Sequence, residues 1–594
     1  MTSTVSRLLI GLRTKVLRRQ EHQRFVSCLT ALYSCRWRRS ERSDVRPGSC
    51  CCSKVEGASF ALIVAAFCLT LVFLYFWGRA ENDYNDFDWF NFENLGFWFP
   101  WSVVLLVVAA IFFSYISVLT LLAVCLLSEA QKLHLHWSHK VGILVTLTFS
   151  VAATAVLSDL WGEEWTTLLL SLQVSAPYLH VGGVFVMTSL AWPVALHVCR
   201  MTCRVRKGLI LALYLAFLFA LYLVPLGLYS PCIREKRTLG PAPALIGHRG
   251  APMLAPENTL MSFEKAVEAG SDGLETDVTI SFDGVPFLMH DRTLRRTTNV
   301  HEVFPNRTTS PAAMFTWSEL QSLNAGSWFL SHDPFGSAAL LEEEERRRAG
   351  NQSVCSLRAF LQLAAWTHKL VIFDLYQPPR GHPYRHSWIQ RTLEVVHEST
   401  IESSQVLWLP SELRSLVQET DPELQQTSGS RLPLEELQRN NISKVNLRYS
   451  SMSAELTSEY AAANISTNLY VVSQAWLYSL AWCCGVHSVT TNAPQLLRTM
   501  SSPLFLMSPD EYNLMWILTD LISSVLIFVI FSFHRWRERE LSFCSASEMT
   551  TDGGGVYFEF KTEMGDIWSI SRSQKMSGPV TVTDQTTKNQ IFSG

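Results

Sequence analysis

Two histidines and two carboxylates lie in segments with the composition of β strands. His248 follows one such run, Glu275 and Asp277 lie within the next, and His290 ends a third. Alternate residues of a strand point to the same side, so Glu275 and Asp277 project together. Two neighbouring carboxylates repel each other unless a cation lies between them, and Mg²⁺ and Ca²⁺ prefer oxygen ligands. The pattern predicts a site for Mg²⁺ or Ca²⁺ at this pair.

Histidines beside such a metal site indicate acid–base chemistry. Cleavage of a phosphodiester needs a base to activate the attacking hydroxyl and an acid to protonate the leaving alkoxide, and histidine suits both tasks near neutral pH. We therefore take His248 and His290 as candidate catalytic residues. Arg249 either contacts the phosphate in a bidentate manner or supports a carboxylate of the site. A lone histidine at a strand end is more often structural, so the prediction depends on the joint occurrence of these residues.

The elements that must position these residues form a repeating pattern. Short β-rich runs alternate with helical patterns, which is typical of parallel βα units. We count eight runs, Ala244–Gly247, Gly273–Ile280, Val285–His290, Leu370–Tyr376, Val406–Pro410, Val445–Tyr449, Leu469–Ser473 and Ser488–Asn492. Eight units predict an α/β fold of the (β/α)8 TIM-barrel type, with its chemistry at the C-terminal ends of the strands. The segment at about 292–369 is too long for a loop and predicts an insertion over the barrel mouth.

The rest of the chain has a membrane composition, since 48% of the 594 residues are hydrophobic and only 17% are charged. A membrane-spanning helix needs about 20 consecutive, mostly apolar residues. Six stretches qualify, namely Ser59–Trp77, Ser102–Leu127, Val141–Leu157, Pro177–Val198, Leu209–Tyr229 and Met515–Phe533. The sequence thus predicts a multi-pass α-helical membrane protein that carries the barrel between its fifth and sixth spans.

Loop charges predict the orientation of these spans. Cytoplasmic loops collect Lys and Arg, and basic residues follow the second, fourth and sixth stretches at Lys132, Lys140, Arg200, Arg204, Arg206, Lys207, Arg535, Arg537 and Arg539. Both termini are therefore expected in the cytosol and the barrel outside, at the plasma membrane. Four N-x-[ST] glycosylation sequons, at Asn306, Asn351, Asn441 and Asn464, all lie in the expected outer segment.

This orientation divides the chain into five parts. We expect a basic cytosolic segment (1–58), five transmembrane helices (59–229), the extracellular barrel (230–512), a sixth helix (513–533) and a cytosolic, disordered tail (534–594). The basic N-terminal segment would contact anionic membrane lipids, and this topology argues against a nucleic-acid partner.

The fourteen cysteines are scattered rather than paired at metal-ligand spacing. Four of them would face an oxidising compartment and could pair, although their connectivity is not readable from sequence: Cys232, Cys355, Cys483 and Cys484. The run formed by Cys50, Cys51 and Cys52 precedes the first span. Two interpretations remain open for these cysteines, palmitoylation and unmodified thiols.

The motifs together resemble one known family. His248-Arg249-Gly250, Ala255–Thr259, Gly273–Val278 and His290-Asp291 are similar, in order and in spacing, to the glycerophosphodiester phosphodiesterase family. The six spans, the Cys35–Trp37 segment and Asn82-Asp83-Tyr84 resemble its membrane-bound vertebrate branch, which is linked to the differentiation of neurons and osteoblasts.

The resemblance implies a metal-dependent hydrolase with His248 as general base, His290 as general acid and Glu275 and Asp277 as metal ligands. It also implies substrates such as glycerophosphocholine, glycerophosphoinositol or the glycosylphosphatidylinositol (GPI) anchors of surface proteins. An outward-facing site next to the bilayer would suit anchor cleavage, because the scissile phosphate lies at headgroup level.

Some positions depart from the family pattern. The third metal ligand, usually Glu, is Asp374, and Tyr376 replaces a Lys. The Trp-Thr-x-Asn motif becomes Tyr470–Ser473, which makes Tyr470 a candidate substrate contact, and the closing Thr-Asp becomes Thr491-Asn492. These changes leave open a second class of function, in which a catalytically weak barrel acts as a surface receptor.

Two residues before the first barrel helix complete the predictions. Glu257 either touches the metal or substrate or has no such role, and Asn258 is expected to cap the helix.

Overall fold

Long apolar helices lie at both ends of the described chain, and shorter helices alternate with strands between them. The computed structural model describes residues 24–36, 54–128, 131, 133–162, 164–201 and 204–550, without the side chains of 128, 200 and 540–550. After a helix at 24–34, the helices are α1 Lys54–Arg79, α2 Tyr84–Leu95, α3 Trp101–Ser128, α4 Trp137–Leu160, α5 Glu164–Arg200, α6 Arg204–Leu223, α7 Leu260–Glu268, α8 Val300–Val303, α9 Trp317–Gln321, α10 Ser327–His332, α11 Glu343–Gly350, α12 Leu357–Trp366, α13 Trp388–Glu398, α14 Arg414–Thr420, α15 Leu434–Arg439, α16 Ala454–Ala462, α17 Ala475–Cys483, α18 Pro494–Leu497 and α19 Pro509–Thr550.

Six helical segments of the described chain are long and apolar enough to cross a membrane. They are Lys54–Leu95, Trp101–Leu127, Trp137–Leu160, Glu164–Cys199, Arg204–Gly227 and Pro509–Arg539. Each contains one of the six stretches that the sequence predicts, except that the fifth helical segment ends at Gly227, short of the predicted Tyr229. The count of six candidate spans is therefore confirmed by length and composition.

The strands between α6 and α19 form a closed barrel. They are β1 Ala244–Gly247, β2 Gly273–Ile280, β3 Pro286–Leu288, β4 Leu370–Leu375, β5 Val406–Trp408, β6 Gln425–Ser428, β7 Ile442–Arg448, β8 Ser466–Tyr470 and β9 Ser488–Thr491. All but β3 pair in parallel, and the pairing of β1 with both β2 and β9 closes the ring. The predicted eight-stranded TIM barrel is confirmed.

One predicted barrel strand is wrong. The run Val285–His290 contains β3, which pairs antiparallel with β2, so Leu288 lies opposite Val278. The two strands form a hairpin that leaves the barrel and returns, and the Met289 amide donates to the carbonyl of Asp277 at 2.9 Å. The hairpin explains why His290 reaches the barrel mouth although its strand is not part of the barrel.

The strand that completes the set of eight is β6. The sequence does not predict it because its residues, Gln425–Ser428, are polar. Apolar periodicity is the main signal of a buried strand. Here buried polar side chains are satisfied by hydrogen bonds instead: Gln426 accepts from Arg414 at 2.9 Å, and Thr427 donates to the Trp408 carbonyl at 3.0 Å. A polar strand of this kind gives no apolar pattern.

Side-chain contacts fix the barrel to the apolar helices. Tyr449, at the end of β7, donates to Asp83 and lies 2.7 Å from the Thr167 hydroxyl of α5. Cys232, which follows α6, forms a disulfide with Cys483 of α17, whereas Cys355 and Cys484 are buried free thiols. The predicted palmitoylation sites Cys50, Cys51 and Cys52 lie outside the described residues.

The four sequon asparagines, Asn306, Asn351, Asn441 and Asn464, are all exposed. If the barrel lies outside the cytosol, we expect glycosidase treatment of the protein from animal cells to increase its gel mobility. Asn→Gln changes at these four positions should abolish that shift. Asn440→Gln, next to a sequon but outside it, is the matched control. An unshifted wild-type protein would contradict the predicted orientation.

Candidate active site

His248 is held at the mouth by the tight turn that follows β1. Gly250 has φ +91°, and a Cβ there would lie 2.4 Å from the Ser262 hydroxyl, so only glycine fits this turn. The Nδ1 of His248 lies 2.6 Å from the Oδ1 of Asn492, an acceptor, so Nδ1 carries the proton. The unprotonated Nε2 lies 3.9 Å from Glu275. Burial and the charge of Arg249 lower the pKa of His248 to about 3, and the ring is therefore neutral at pH 7.

Three carboxylates meet beside His248. Asp277 of β2 pairs in register with Asp374 of β4, and Glu275 lies two residues earlier on the same strand. One oxygen from each of the three lies within 4.8 Å of the others. Burial and mutual repulsion raise the pKa of Glu275 well above its usual value and that of Asp374 to about 6. Three converging, poorly compensated carboxylates suit a divalent ion with oxygen ligands, and the group can hold one.

Asp277 is the best-supported member of this carboxylate group. It accepts from the Asn258 amide at 3.1 Å and from the Tyr376 hydroxyl at 3.1 Å, and the Arg249 guanidinium lies 3.2 Å away. Burial opposes ionisation, but the nearby charges of His290 and Arg249 hold the pKa of Asp277 below its usual value. Tyr376, where the family pattern has Lys, thus supplies a hydrogen bond to the group in place of a positive charge.

The sequence predicts Asn258 as the cap of α7, and this prediction is wrong. Thr259 is the cap, since its side chain accepts from the Ser262 amide. Asn258 has φ +55° and bonds instead to Asp277 and, at 2.7 Å, to the Thr276 hydroxyl. Both residue types favour helix N-caps, so the sequence could not distinguish the cap from its neighbour.

Glu257 lies between two guanidinium groups. Arg249 donates to it at 3.0 Å, and Arg296 donates at 2.6 and 2.8 Å. Burial opposes ionisation, but the two arginines lower the pKa of Glu257 to about 2. The observed contacts of Arg249 are thus with carboxylates, which agrees with the supporting role considered for it.

His290 has a different type of partner from His248. Its Nδ1 lies 2.9 Å from the Asp291 carboxylate, and 40% of its side chain is exposed. Arg296 donates twice to Asp291, at 2.6 and 2.8 Å. Burial opposes ionisation, but Arg296 and His290 hold the pKa of Asp291 below its usual range. A carboxylate at Nδ1 holds the imidazole ring in one orientation.

A polar cavity adjoins the carboxylate group. It has a volume of about 600 Å³, a size typical of small-ligand sites, and its lining includes Asp374, Tyr376, Ser411, Glu412, Arg414, Ser428 and Ser430. Tyr470, the predicted substrate contact, ends β8 and is half-buried. The cavity provides space for a polar group next to the carboxylates.

Sequence reasoning assigned no role to Asn492, Asp291 or Arg296. Asn492 was noted only as a departure from the family pattern, and Asp291 only as part of a motif. Arg296 lies in a loop five residues after Asp291, and its contact with Glu257 joins residues 39 positions apart in the chain. Nothing in its local sequence distinguishes this buried arginine from a surface arginine.

The fold and this arrangement of residues define a TIM-barrel protein with a histidine–carboxylate centre at its mouth. Residues 248–496 match the model of the "Glycerophosphoryl diester phosphodiesterase family". The chain is 49% identical over 527 residues to human "Glycerophosphodiester phosphodiesterase domain-containing protein 5", covering 88% of this chain and 86% of that protein. It is 43% identical over 509 residues to mouse "Glycerophosphoinositol inositolphosphodiesterase GDPD2", covering 85% and 92%.

Among solved structures, a phosphodiesterase from Oleispira antarctica in complex with sn-glycerol-3-phosphate aligns with a TM-score of 0.36 at 21% identity. The alignment covers 43% of this chain and 96% of that one. The family match, and the relatives that align over most of this chain, agree with the resemblance seen in the motifs. This chain belongs to the glycerophosphodiester phosphodiesterase domain-containing family.

Cation binding should depend on pH. Because the raised pKa values of Glu275 and Asp374 favour their protonated forms, a divalent ion must displace protons to bind. We expect the affinity for Mg²⁺ or Ca²⁺ to fall as the pH drops from about 7.5 through 6, with proton release measurable by calorimetry in two buffers. Asp374→Asn should weaken binding and flatten this dependence, whereas Asp510→Asn, at an exposed aspartate, should leave it intact. An affinity independent of pH would contradict this account.

Proposed function

We propose that this protein hydrolyses glycerophosphodiesters at a divalent-metal centre formed by Glu275, Asp277 and Asp374. The proposal is carried by one observation, the different hydrogen-bond partners of the two histidines beside this group. His248 bonds to a neutral amide and His290 to a carboxylate. A neutral partner for one ring and a carboxylate partner for the other give the two histidines the different environments that a base and an acid require.

His248 acts as the general base. Its Nδ1 proton is committed to Asn492, so Nε2 has a free lone pair that can take a proton from the attacking water. As the water oxygen bonds to phosphorus, its proton passes to Nε2. The neutral ring at pH 7 is the form that this step needs.

His290 acts as the general acid. Its ring is partly exposed, and the Asp291 carboxylate at Nδ1 orients it. As the bond from phosphorus to the leaving alkoxide breaks, His290 donates a proton to that oxygen. The products are a phosphomonoester and an alcohol, and both histidines return to their starting states by proton exchange with water.

A bound divalent ion would neutralise the non-bridging phosphate oxygens as negative charge develops on them. Arg249 and Asn258 orient Asp277, and Arg249 also donates its backbone amide to Glu275 at 2.9 Å. The contribution of these residues is to hold the carboxylates in place. We propose Tyr470 as a further contact at the substrate end.

The polar cavity next to Asp374 suits a hydrophilic alcohol. Glycerophosphocholine and glycerophosphoinositol are the substrates that we propose, and the name of the mouse relative, a glycerophosphoinositol inositolphosphodiesterase, supports the second. We also propose that the barrel acts outside the cell, at the plasma membrane. The exposed sequons and the Cys232–Cys483 disulfide favour that compartment.

Two alternatives follow from the same architecture. A barrel attached to six candidate spans would be close to GPI anchors, and releasing anchored proteins would connect the enzyme to cell differentiation. The second alternative, a receptor without turnover, was motivated by Asp374 and Tyr376. It is disfavoured because Asp374 joins the carboxylate group and Tyr376 bonds to Asp277.

The activity can be tested with full-length protein in detergent or nanodiscs. We expect hydrolysis of glycerophosphocholine or glycerophosphoinositol with Mg²⁺ or Ca²⁺. His248→Ala and His290→Ala should each lower kcat, because loss of a general acid or base costs about 10²- to 10⁴-fold in rate. His397→Ala, at an exposed histidine elsewhere on the barrel, is the control. Absence of turnover by the wild type would favour the receptor.

Anchor cleavage needs a cellular test. Cells expressing the wild type or His248→Ala are compared for anchored proteins, choline and glycerol phosphate in the medium. If the anchor is a substrate, anchored proteins appear in the medium only with the wild type. Equal release from both cell lines would exclude this alternative and leave the soluble diesters.

A further inference from the structure

Residues 80–98, which connect α1 to α3 and include α2, lie against the barrel. We call them the docking segment. Asp88 of this segment accepts from the backbone and hydroxyl of Ser102 at the start of α3, at 2.8 and 2.6 Å. Tyr84 donates to the Trp77 carbonyl of α1 at 2.7 Å. These bonds fix the docking segment to the two apolar helices that it connects.

One end of the docking segment leads to His248. The buried side chain of Asn82 donates to the Val471 carbonyl and accepts from the Ser473 amide, both at 2.9 Å. The Ser473 hydroxyl accepts from the backbone amide of Asn492 at 3.1 Å. The side-chain oxygen of Asn492 lies 2.6 Å from Nδ1 of His248. Three consecutive hydrogen-bonded contacts thus connect Asn82 to the proposed base.

The other end leads to His290. The Trp89 ring lies over Arg296, 4.6 Å from the guanidinium carbon, and Trp328 lies 5.8 Å from the same atom. Arg296 is only 4% exposed, and the nitrogens of its guanidinium group donate hydrogen bonds to Asp291 and Glu257. Asp291 in turn holds His290 at 2.9 Å. Trp89 covers the residue that orients the partner of the proposed acid.

A neighbouring contact strengthens this second connection. Arg295 donates to the Gly96 carbonyl at 2.9 Å, and its guanidinium carbon lies 5.2 Å from the Phe92 ring. Two consecutive arginines at the start of the insertion therefore contact the docking segment. The loop that carries His290 is thus held against the docking segment through both arginines.

We propose that the docking segment is a positioning element for the reaction: Asn82 orients His248 through Ser473 and Asn492, and Trp89 orients His290 through Arg296 and Asp291. This inference rests on the proposed phosphodiesterase activity. Neither residue touches the reacting atoms. Proton transfer depends on the placement of each ring, and a misplacement of about 1 Å can cost about 10²-fold in rate. The active centre is therefore complete only when the barrel is docked on its apolar helices.

The experiment uses full-length protein and two glycerophosphodiesters that differ in leaving group, choline and p-nitrophenol. Nitrophenolate is a good leaving group and needs little help from an acid, whereas the choline alkoxide needs a proton. Trp89→Leu should lower kcat for the choline ester by about 10- to 100-fold and leave kcat for the nitrophenyl ester nearly unchanged. Asn82→Ala, which acts on the base, should lower kcat for both esters.

Two further variants act as controls, and one tests rescue. Asn94→Ala and Phe97→Leu change exposed side chains of the same segment and should leave both rates at the wild-type level. Trp89→Phe keeps an aromatic face over Arg296 and should restore most of the choline-ester rate. KM and the half-saturating Mg²⁺ concentration should stay unchanged in Asn82→Ala and Trp89→Leu. If Trp89→Leu does not fold, Trp89→Met takes its place.

The inference is overturned if the Asn82 and Trp89 variants retain full activity on both esters, or if Trp89→Leu loses the same factor on both. The second result would indicate general destabilisation. Failure of the proposed function is a separate outcome, since the wild type itself would then show no turnover that depends on His248. An active, His248-dependent wild type with fully active docking-segment variants would reject this inference alone.

Discussion

The charge of three carboxylates converging at one barrel mouth is the constraint on which the surrounding structure depends. Glu275, Asp277 and Asp374 place oxygens within 4.8 Å of one another in a buried position, where like charges repel strongly. The protein offsets this charge only in part, with Arg249 and the donors of Asn258 at Asp277. The remaining charge is what makes the group suitable for a divalent ion, and it explains why the basic residues nearby are bound to carboxylates.

The two histidines use this charged environment differently. The partner of His248 is the neutral amide of Asn492, whereas the partner of His290 is the Asp291 carboxylate. Both partners depend on residues further away, and these contacts extend to the segment that connects the first two apolar helices. The barrel and those helices therefore behave as one functional structure, although only the barrel contains the reacting groups.

Local patterns were sufficient to predict the barrel, the six candidate spans and the carboxylate pair. Apolar runs and alternating strands record burial directly, and Glu275-x-Asp277 projects to one side for a simple geometric reason. The polar strand at Gln425–Ser428 was missed because it is stabilised by hydrogen bonds. The contact of Arg296 with Glu257 and that of Asn492 with His248 join residues far apart in the chain, which a single sequence does not record.

The most direct test of a single reaction centre is a structure of the full-length protein with Ca²⁺ and a non-hydrolysable phosphonate analogue of a glycerophosphodiester. The account predicts one ion bound by Glu275, Asp277 and Asp374, with the phosphonate on that ion and His248 and His290 each within hydrogen-bond distance of it. An ion or phosphonate bound elsewhere, with these three carboxylates empty, would contradict the central claim.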